Sequence, residues 1–450
     1  MTTAVSTRSR ALTVGLCVAV VAVAFEAVSV ATAMPAAARD LDGLSLYAWA
    51  FSLFLIGQLF ATVAAGRLCD RFGPARPMAL GLAVFALGLV TAATAGSMAH
   101  LVVGRLLQGL GAGVVGLSMY VVIARAYDES RRPQMFSWIS SAWIVPSFVG
   151  PAAAAWVTHH LGWRAVFWGI LPLLAIGSAM MLPPVLRLAD GTEESTRSTT
   201  PPAAIWAAAL AAVGAAGIQL AGQELTGLGI AAGVVGLLLL AVSLPNLMPP
   251  GFFRFRPGLA PVIVVRALLA GAFFGAETFI PLMLVEQRHF SLLLAGSSLT
   301  LGAVGWSLGA WFQSMKRMTL RRDQVITLGA ACVTAGVALV TAVALLQLWV
   351  GVVAIAWTVA GIGMGLATSS TSVATMALSE TGDQGRNASS LQFGEAFGGG
   401  LFVGVGGTVF AALHPSGNLT ATFTSVLLAM TVVGALGVAA SLRAGPIRTG

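Results

Sequence analysis

Charge is what this sequence has least of. Asp, Glu, Lys and Arg make up 9% of its 450 residues, and 57% are hydrophobic. Soluble domains carry about 25% charged residues and need them to cover a water-facing surface. A soluble globular protein is therefore excluded. Cysteine is nearly absent too. Cys17, Cys69 and Cys332 are too few and too scattered for a disulfide framework and are read as packing residues. The five histidines show no ligand spacing, so no metal is expected. Lysine occurs once, at Lys316. The net charge of +8 has no aromatic-interleaved basic patch behind it, which argues against nucleic acid as a partner. No nucleophile–base pair appears, so no catalytic residue is named and the chain is not read as an enzyme. Gly111, Gly113 and Gly116 spell G-x-G-x-x-G, but no strand precedes them and they lie within an apolar run, where nucleotide is not bound.

What is abundant is long apolar sequence. Runs fall at about 11–35, 45–66, 78–97, 101–124, 135–158, 165–186, 203–223, 227–246, 259–285, 291–313, 325–348, 350–378, 388–413 and 420–441. At ~1.5 Å per residue each can cross the ~30 Å hydrocarbon layer as a tilted helix. The expectation is an all-α integral membrane protein with fourteen spans. The first run follows Arg8 and Arg10 and ends on Ala31-Thr32-Ala33, as a signal peptide would, but its length and an internal acid favour a retained span.

Basic residues set the expected orientation. With the N-terminus in the cytoplasm, nineteen of the 24 fall in cytoplasmic segments and three (Arg39, Arg164, Arg288) on the other side. Arg105 and Arg266 lie within runs. Arg266, near the cytoplasmic start of its run, is expected to snorkel. Both termini are then cytoplasmic, in a cell membrane. The expected domains are a six-helix bundle at 11–187, a linker and two-helix hairpin at 188–257, and a second six-helix bundle at 258–443. The linker "ADGTEESTRSTTPP" is polar and Pro-rich, and two bundles of similar size suggest an internal duplication.

Ionisable groups inside membrane spans cost roughly 2.5–3.5 kcal/mol on insertion scales and mark ion or substrate paths. Glu26 stands alone in "VVAVAFEAVSV". It either carries protons or is a carboxyl paired for packing. Arg105 and Gln108 lie one turn apart on one helix face. Glu277 and Glu395 are the acids within later runs.

Several stretches carry a resemblance. "GRLCDRFGPAR", Gly66 to Arg76, resembles the loop signature of the major facilitator superfamily, though one basic residue closes it where two are usual. "GRLLQGLGAG" resembles the fourth-helix signature at Arg105, Gln108 and Gly109. "VPSFVGPAAAAWV" is similar to the fifth-helix antiporter signature through Gly150-Pro151, with Ala154 and Ala155 where glycines are usual. "FEAVSVATAMP" resembles the first-helix signature, with Glu26 on the acid, Pro35 on the proline and Ala31 in place of a small polar residue. "LGWRAVFW" also fits. With the extra hairpin, the resemblance is to the fourteen-helix drug:proton antiporter branch.

That resemblance implies two six-helix bundles with an inserted hairpin and an exporter of hydrophobic compounds, cationic ones among them. Its partners are small hydrophobic molecules, protons and the lipid bilayer. It has no cofactor, and a proton gradient supplies the energy. Glu26 and Arg105 would couple protons, although Arg105 has an alternative as a helix-to-helix clamp. Gly66, Asp70, Arg71, Gly73, Arg76 and Arg125 would form a gate, and Gly150 and Pro151 an antiporter kink. Glu277, Glu395 and Gln108 are the substrate-binding candidates. A dedicated exporter or symporter of one metabolite has the same fold. A membrane-embedded enzyme or channel is the distant third reading.

Overall fold

The computed structural model describes residues 2–127, 135, 138–139, 141–189, 205–223, 227–249, 251–315, 320–380 and 384–447. Among them are fourteen α-helices. They are α1 (Thr2–Asp40), α2 (Trp49–Phe72), α3 (Ala75–Ala93), α4 (Met98–Ala126), α5 (Ile144–Leu161), α6 (Arg164–Ala189) and α7 (Ile205–Gln223). The others are α8 (Gly227–Leu247), α9 (Leu259–Glu286), α10 (Leu292–Ser314), α11 (Arg322–Leu346), α12 (Gly351–Ala377), α13 (Gln384–Leu413) and α14 (Leu419–Ser441). Thirteen helices are long and apolar enough to cross a membrane. The fifth run expected at 135–158 is represented by α5, which begins at Ile144; residues 136, 137 and 140 ahead of it lie outside the described residues, as do 190–204 of the expected linker.

In hydrocarbon every backbone polar group must be satisfied within the segment, so long apolar runs become helices. Side-chain caps mark where several begin. Ser97 accepts from the His100 amide at 3.2 Å at the start of α4. Asn418 accepts from the Ala421 amide at 2.9 Å at the start of α14. Each bond satisfies one of the donors that a helix start leaves open.

The chain divides into two compact units. One is Met1–Gly43 with Gly57–Ile205; the other is Leu44–Ile56 with Trp206–Gly450, so the boundary falls inside α2. Within the first unit α1 packs on α5 and α6, α3 packs on α4 and α6, and α5 meets α6. Within the second, α9 packs on α13 and α14, α11 packs on α12 and α14, and α13 meets α14. The packing pattern of the first unit thus recurs eight helices later, and in chain order α7 and α8 come between the two sets. Helix α9 is buried nearly all round, from Val262 and Val265 through Phe279 to Leu284. A helix apolar on every side suits that central position.

Candidate functional site

The first expected site lies within one unit. Glu26 sits midway along α1 and is 0% exposed; Arg105 on α4 is 3% exposed and Gln108, one turn on, 0%. The Arg105 Nη1 donates to Glu26 Oε1 and to Gln108 Oε1. The carboxylate and guanidinium form an ion pair whose charges cancel inside the bundle. Among the described residues, Glu26 Oε2, Gln108 Nε2 and Ser29 Oγ are buried with no hydrogen-bond partner. One carboxylate oxygen is therefore committed to the arginine while the other has spare accepting capacity, together with an idle amide donor and a hydroxyl.

Backbone packing sets this geometry. A Cβ on Gly88 of α3 would stand 2.6 Å from the Gln108 amide nitrogen, so only glycine lets α3 approach α4 this closely. The approach leaves α4 little freedom to rotate and holds Arg105 toward α1. A Cβ on Gly150 of α5 would stand 3.4–3.7 Å from Val28 and Ser29 of α1, and Pro151 follows within the helix. The Gly150-Pro151 step lies about one helical turn along α1 from Glu26.

The loop residues gather at one end of the same unit. Gly73 has φ +69°, a left-handed conformation that glycine adopts without strain. A Cβ there would lie 3.9 Å from the Arg125 Nη1 at the end of α4. Gly66 packs toward Leu117, Cys69 and Ser118 approach to 3.5 Å, and the Arg71 guanidinium lies 5.1 Å from the centre of the Phe72 ring. Arg71, Arg76 and Arg125 are exposed. Asp70 stands in the last turns of α2, but its side chain lies outside the described residues.

The second unit holds the other two acids in different settings. Glu277 on α9 is half-buried and makes no hydrogen bond or ion pair among the described residues. One turn earlier, Phe273 stacks on Trp357 with centroids 4.6 Å apart and meets Trp306 edge-on at 5.5 Å. Glu395 on α13 is paired: its Oε2 lies 2.9 Å from Arg266 Nη2. The same guanidinium donates through Nη1 to the Thr368 carbonyl and, at 2.6 Å, to Thr371 Oγ1, both on α12. Arg266 is 5% exposed, which corrects the expectation that it snorkels. Its stem runs into the bundle because a carboxylate, a carbonyl and a hydroxyl wait there.

Sequence reading missed that pair, although two lone charges in apolar runs need compensation and Glu395 was one of the two acids open to Arg266. It also missed the clamp that "LGWRAVFW" builds. Trp163 Nε1 and Arg164 Nη1 both donate to Asp40 Oδ2 at 2.9 Å, Arg164 Nη2 donates to the Ala95 carbonyl at 2.8 Å, and the guanidinium lies 4.2 Å from the centre of the Trp163 ring. These contacts tie the end of α1 to the α3–α4 and α5–α6 turns.

Residues 15–403 match the Major Facilitator Superfamily. The chain belongs to this superfamily. Among relatives of the superfamily, a probable multidrug-efflux transporter of Mycobacterium tuberculosis is 26% identical over 427 residues, spanning 91% of this chain and 89% of the relative. The multidrug transporter protein MdtP of Bacillus subtilis is 29% identical over 162 residues, 36% of this chain and 30% of the relative. Among solved structures, an auto-inhibited POT family peptide transporter matches with a TM-score of 0.68 at 16% identity over 96% of both chains, a likeness of fold. The chain is a multi-pass membrane transporter of the superfamily rather than an enzyme.

Proposed function

We propose that this transporter is a proton-coupled antiporter that exports small hydrophobic compounds, cationic ones among them, by alternating access. The observation that carries the reading is the buried Glu26–Arg105–Gln108 constellation. A carboxylate at 0% exposure in a membrane span is expensive to keep, and a static core would favour an apolar residue there. Its bare Oε2 is where a proton can add, and Arg105 with the Gln108 oxygen is what then holds the charge left behind. Protonation weakens the ion pair, and only interactions that differ between two states can drive a change of conformation. In the export direction a proton arriving from outside would neutralise the Glu26 carboxyl, release substrate and let the protonated carrier return.

The relatives named for multidrug efflux support the substrate class. The remaining assignments are part of the same proposal. The chain is placed in the fourteen-helix drug:proton antiporter branch, with bundles at 11–187 and 258–443 and α7–α8 as an inserted hairpin. It sits in the cell membrane with both termini cytoplasmic, as the distribution of arginines implies. Gly66, Asp70, Arg71, Gly73, Arg76 and Arg125 gate the cytoplasmic end, and the Gly150-Pro151 step seals the bundle. Glu277, with aromatic rings one turn away and no counter-charge among the described residues, receives cationic substrates, and Gln108 contacts substrate beside the proton site.

Everted vesicles test this with ethidium as the cationic probe. Wild-type vesicles should accumulate ethidium when a pH gradient is imposed and lose it when an uncoupler is added. Glu26→Gln vesicles should bind ethidium but not accumulate it. Gradient-driven accumulation unchanged by Glu26→Gln refutes the coupling role.

A further inference from the structure

The second unit contains a charge site that the proton-coupling reading does not use. Arg266 of α9, Glu395 of α13 and the Thr368–Thr371 turn of α12 meet at one guanidinium, which is nine-tenths buried. The helices are held in register there by glycine. A Cβ on Gly398 would overlap the Ala267 carbonyl, one residue from Arg266. The residue after Arg266 is thus pressed against α13, about one turn from Glu395.

The two partners are held unequally. Arg266 keeps two acceptors on α12 whatever the carboxylate does, and its buried Nε has no partner among the described residues. Ser370 Oγ, Thr375 Oγ1 and Thr368 Oγ1, all on the same helix, are also without partners. Glu395 has one oxygen on the arginine, and its side chain is 21% exposed. Ahead of it on α13, Ser389 and Gln392 are exposed at i−6 and i−3. Gln392 lies about one turn ahead of the carboxylate and Ser389 a further turn ahead. Phe393 and Phe397, stacked 5.7 Å apart, stand on either side of Glu395 in the helix.

A fixed strut needs neither an exposed carboxylate nor a polar approach to it. We propose that Glu395 is a second proton-binding site of the transporter, alternating between ionised contact with Arg266 and a protonated form released along the Ser389–Gln392 face. The proton adds to the carboxylate from water. The O–H bond forms, Glu395 becomes neutral, and the positive charge stays on Arg266, which remains on the Thr368 carbonyl and the Thr371 hydroxyl. Among the described side chains, α10, α12 and α14 contribute no charge, α13 contributes no other carboxylate, α11 contributes Arg322 and Asp323 at its start, which bond Gln313 and Arg321, and the other acids on α9 are Glu277, three turns on, and Glu286. The inference rests on the proton-coupled reading, but it places a proton in the second unit as well as the first.

The test uses the purified full-length protein. Infrared difference spectra between mildly alkaline and mildly acidic pH report the C=O stretch of protonated carboxyl groups. In a Glu26→Gln/Glu277→Gln background one such band should remain, and adding Glu395→Gln should remove it, whereas Glu395→Asp should keep it. Should the lone substitution strand Arg266 and prevent folding, Arg266→Gln with Glu395→Gln removes both charges together. In proteoliposomes the accumulation of ethidium against the imposed pH gradient should fall in Glu395→Gln as expected for one proton fewer per cycle. A carboxyl band that persists without Glu395 overturns the proposal, and so does an unchanged gradient dependence. If wild-type protein shows no gradient-driven transport at all, the coupled function fails, and the infrared band still decides whether Glu395 takes up a proton.

Discussion

Replacing Arg105 by methionine should expose how strongly the first ion pair is coupled. Methionine fills similar volume without charge. It leaves Glu26, at 0% exposure, with no hydrogen-bond partner among the described residues for either oxygen, because Arg105 was the donor to Oε1 and Oε2 had none. Stranding one member of a buried pair costs about 3–5 kcal/mol, whereas replacing both by well-packed apolar groups is often neutral or stabilising. Arg105→Met should therefore destabilise by about 3–5 kcal/mol, a factor of roughly 10²–10⁴ in the folding equilibrium. Glu26→Met/Arg105→Met should recover most of that loss. The assay is thermal unfolding of detergent-purified protein, followed by reaction of a thiol-specific dye with Cys69, which is 1% exposed. Cys17 and Cys332, which are only half-buried, are first replaced by alanine. Equal melting of the single and double variants would refute the reasoning, because it would mean that Glu26 does not need the arginine.

Glu277→Gln should reduce transport of a permanently cationic substrate about tenfold or more, the worth of one hydrogen bond to a charged group, and spare a neutral one. Equal losses in paired efflux assays would rule out recognition of charge at this residue. Gly398→Ala should lower stability by about 1–3 kcal/mol, since its methyl would run into the Ala267 backbone and cannot be accommodated by a side-chain rotation. Gly169→Ala, where nothing lies within 4 Å, is the control, and its melting temperature should stay level or rise. A Gly398→Ala protein that melts with the wild type would show that α9 and α13 can part at that point without loss.

Much of the first site is legible in the sequence. A carboxylate in "VVAVAFEAVSV" and an arginine in "GRLLQGLGAG" are single charges in apolar surroundings, and low dielectric leaves such charges little choice but to find one another. Gln108, one turn from Arg105, follows from helical spacing. The second pair is not legible in the same way. By sequence Arg266 has two acids to choose between. Glu277 lies on its own helix, eleven residues on, at a spacing that points the two side chains along one face but roughly three turns apart. Glu395 lies on another helix, where only the close seating of Gly398 on Ala267 brings it within 2.9 Å. The pull of positive charge toward a membrane surface suggests a snorkelling Arg266; a carbonyl and a hydroxyl on α12 reverse that preference.

The amino-acid order alone determined that this chain is membrane-embedded and helical, because apolar length and backbone satisfaction in hydrocarbon admit no other structure for such runs. It also determined which charges had to be accounted for. Which acid answers which arginine, and which acid is left without one, was decided by helix register. Register comes from glycine-sized approaches between backbones distant in sequence, and no local pattern encodes it.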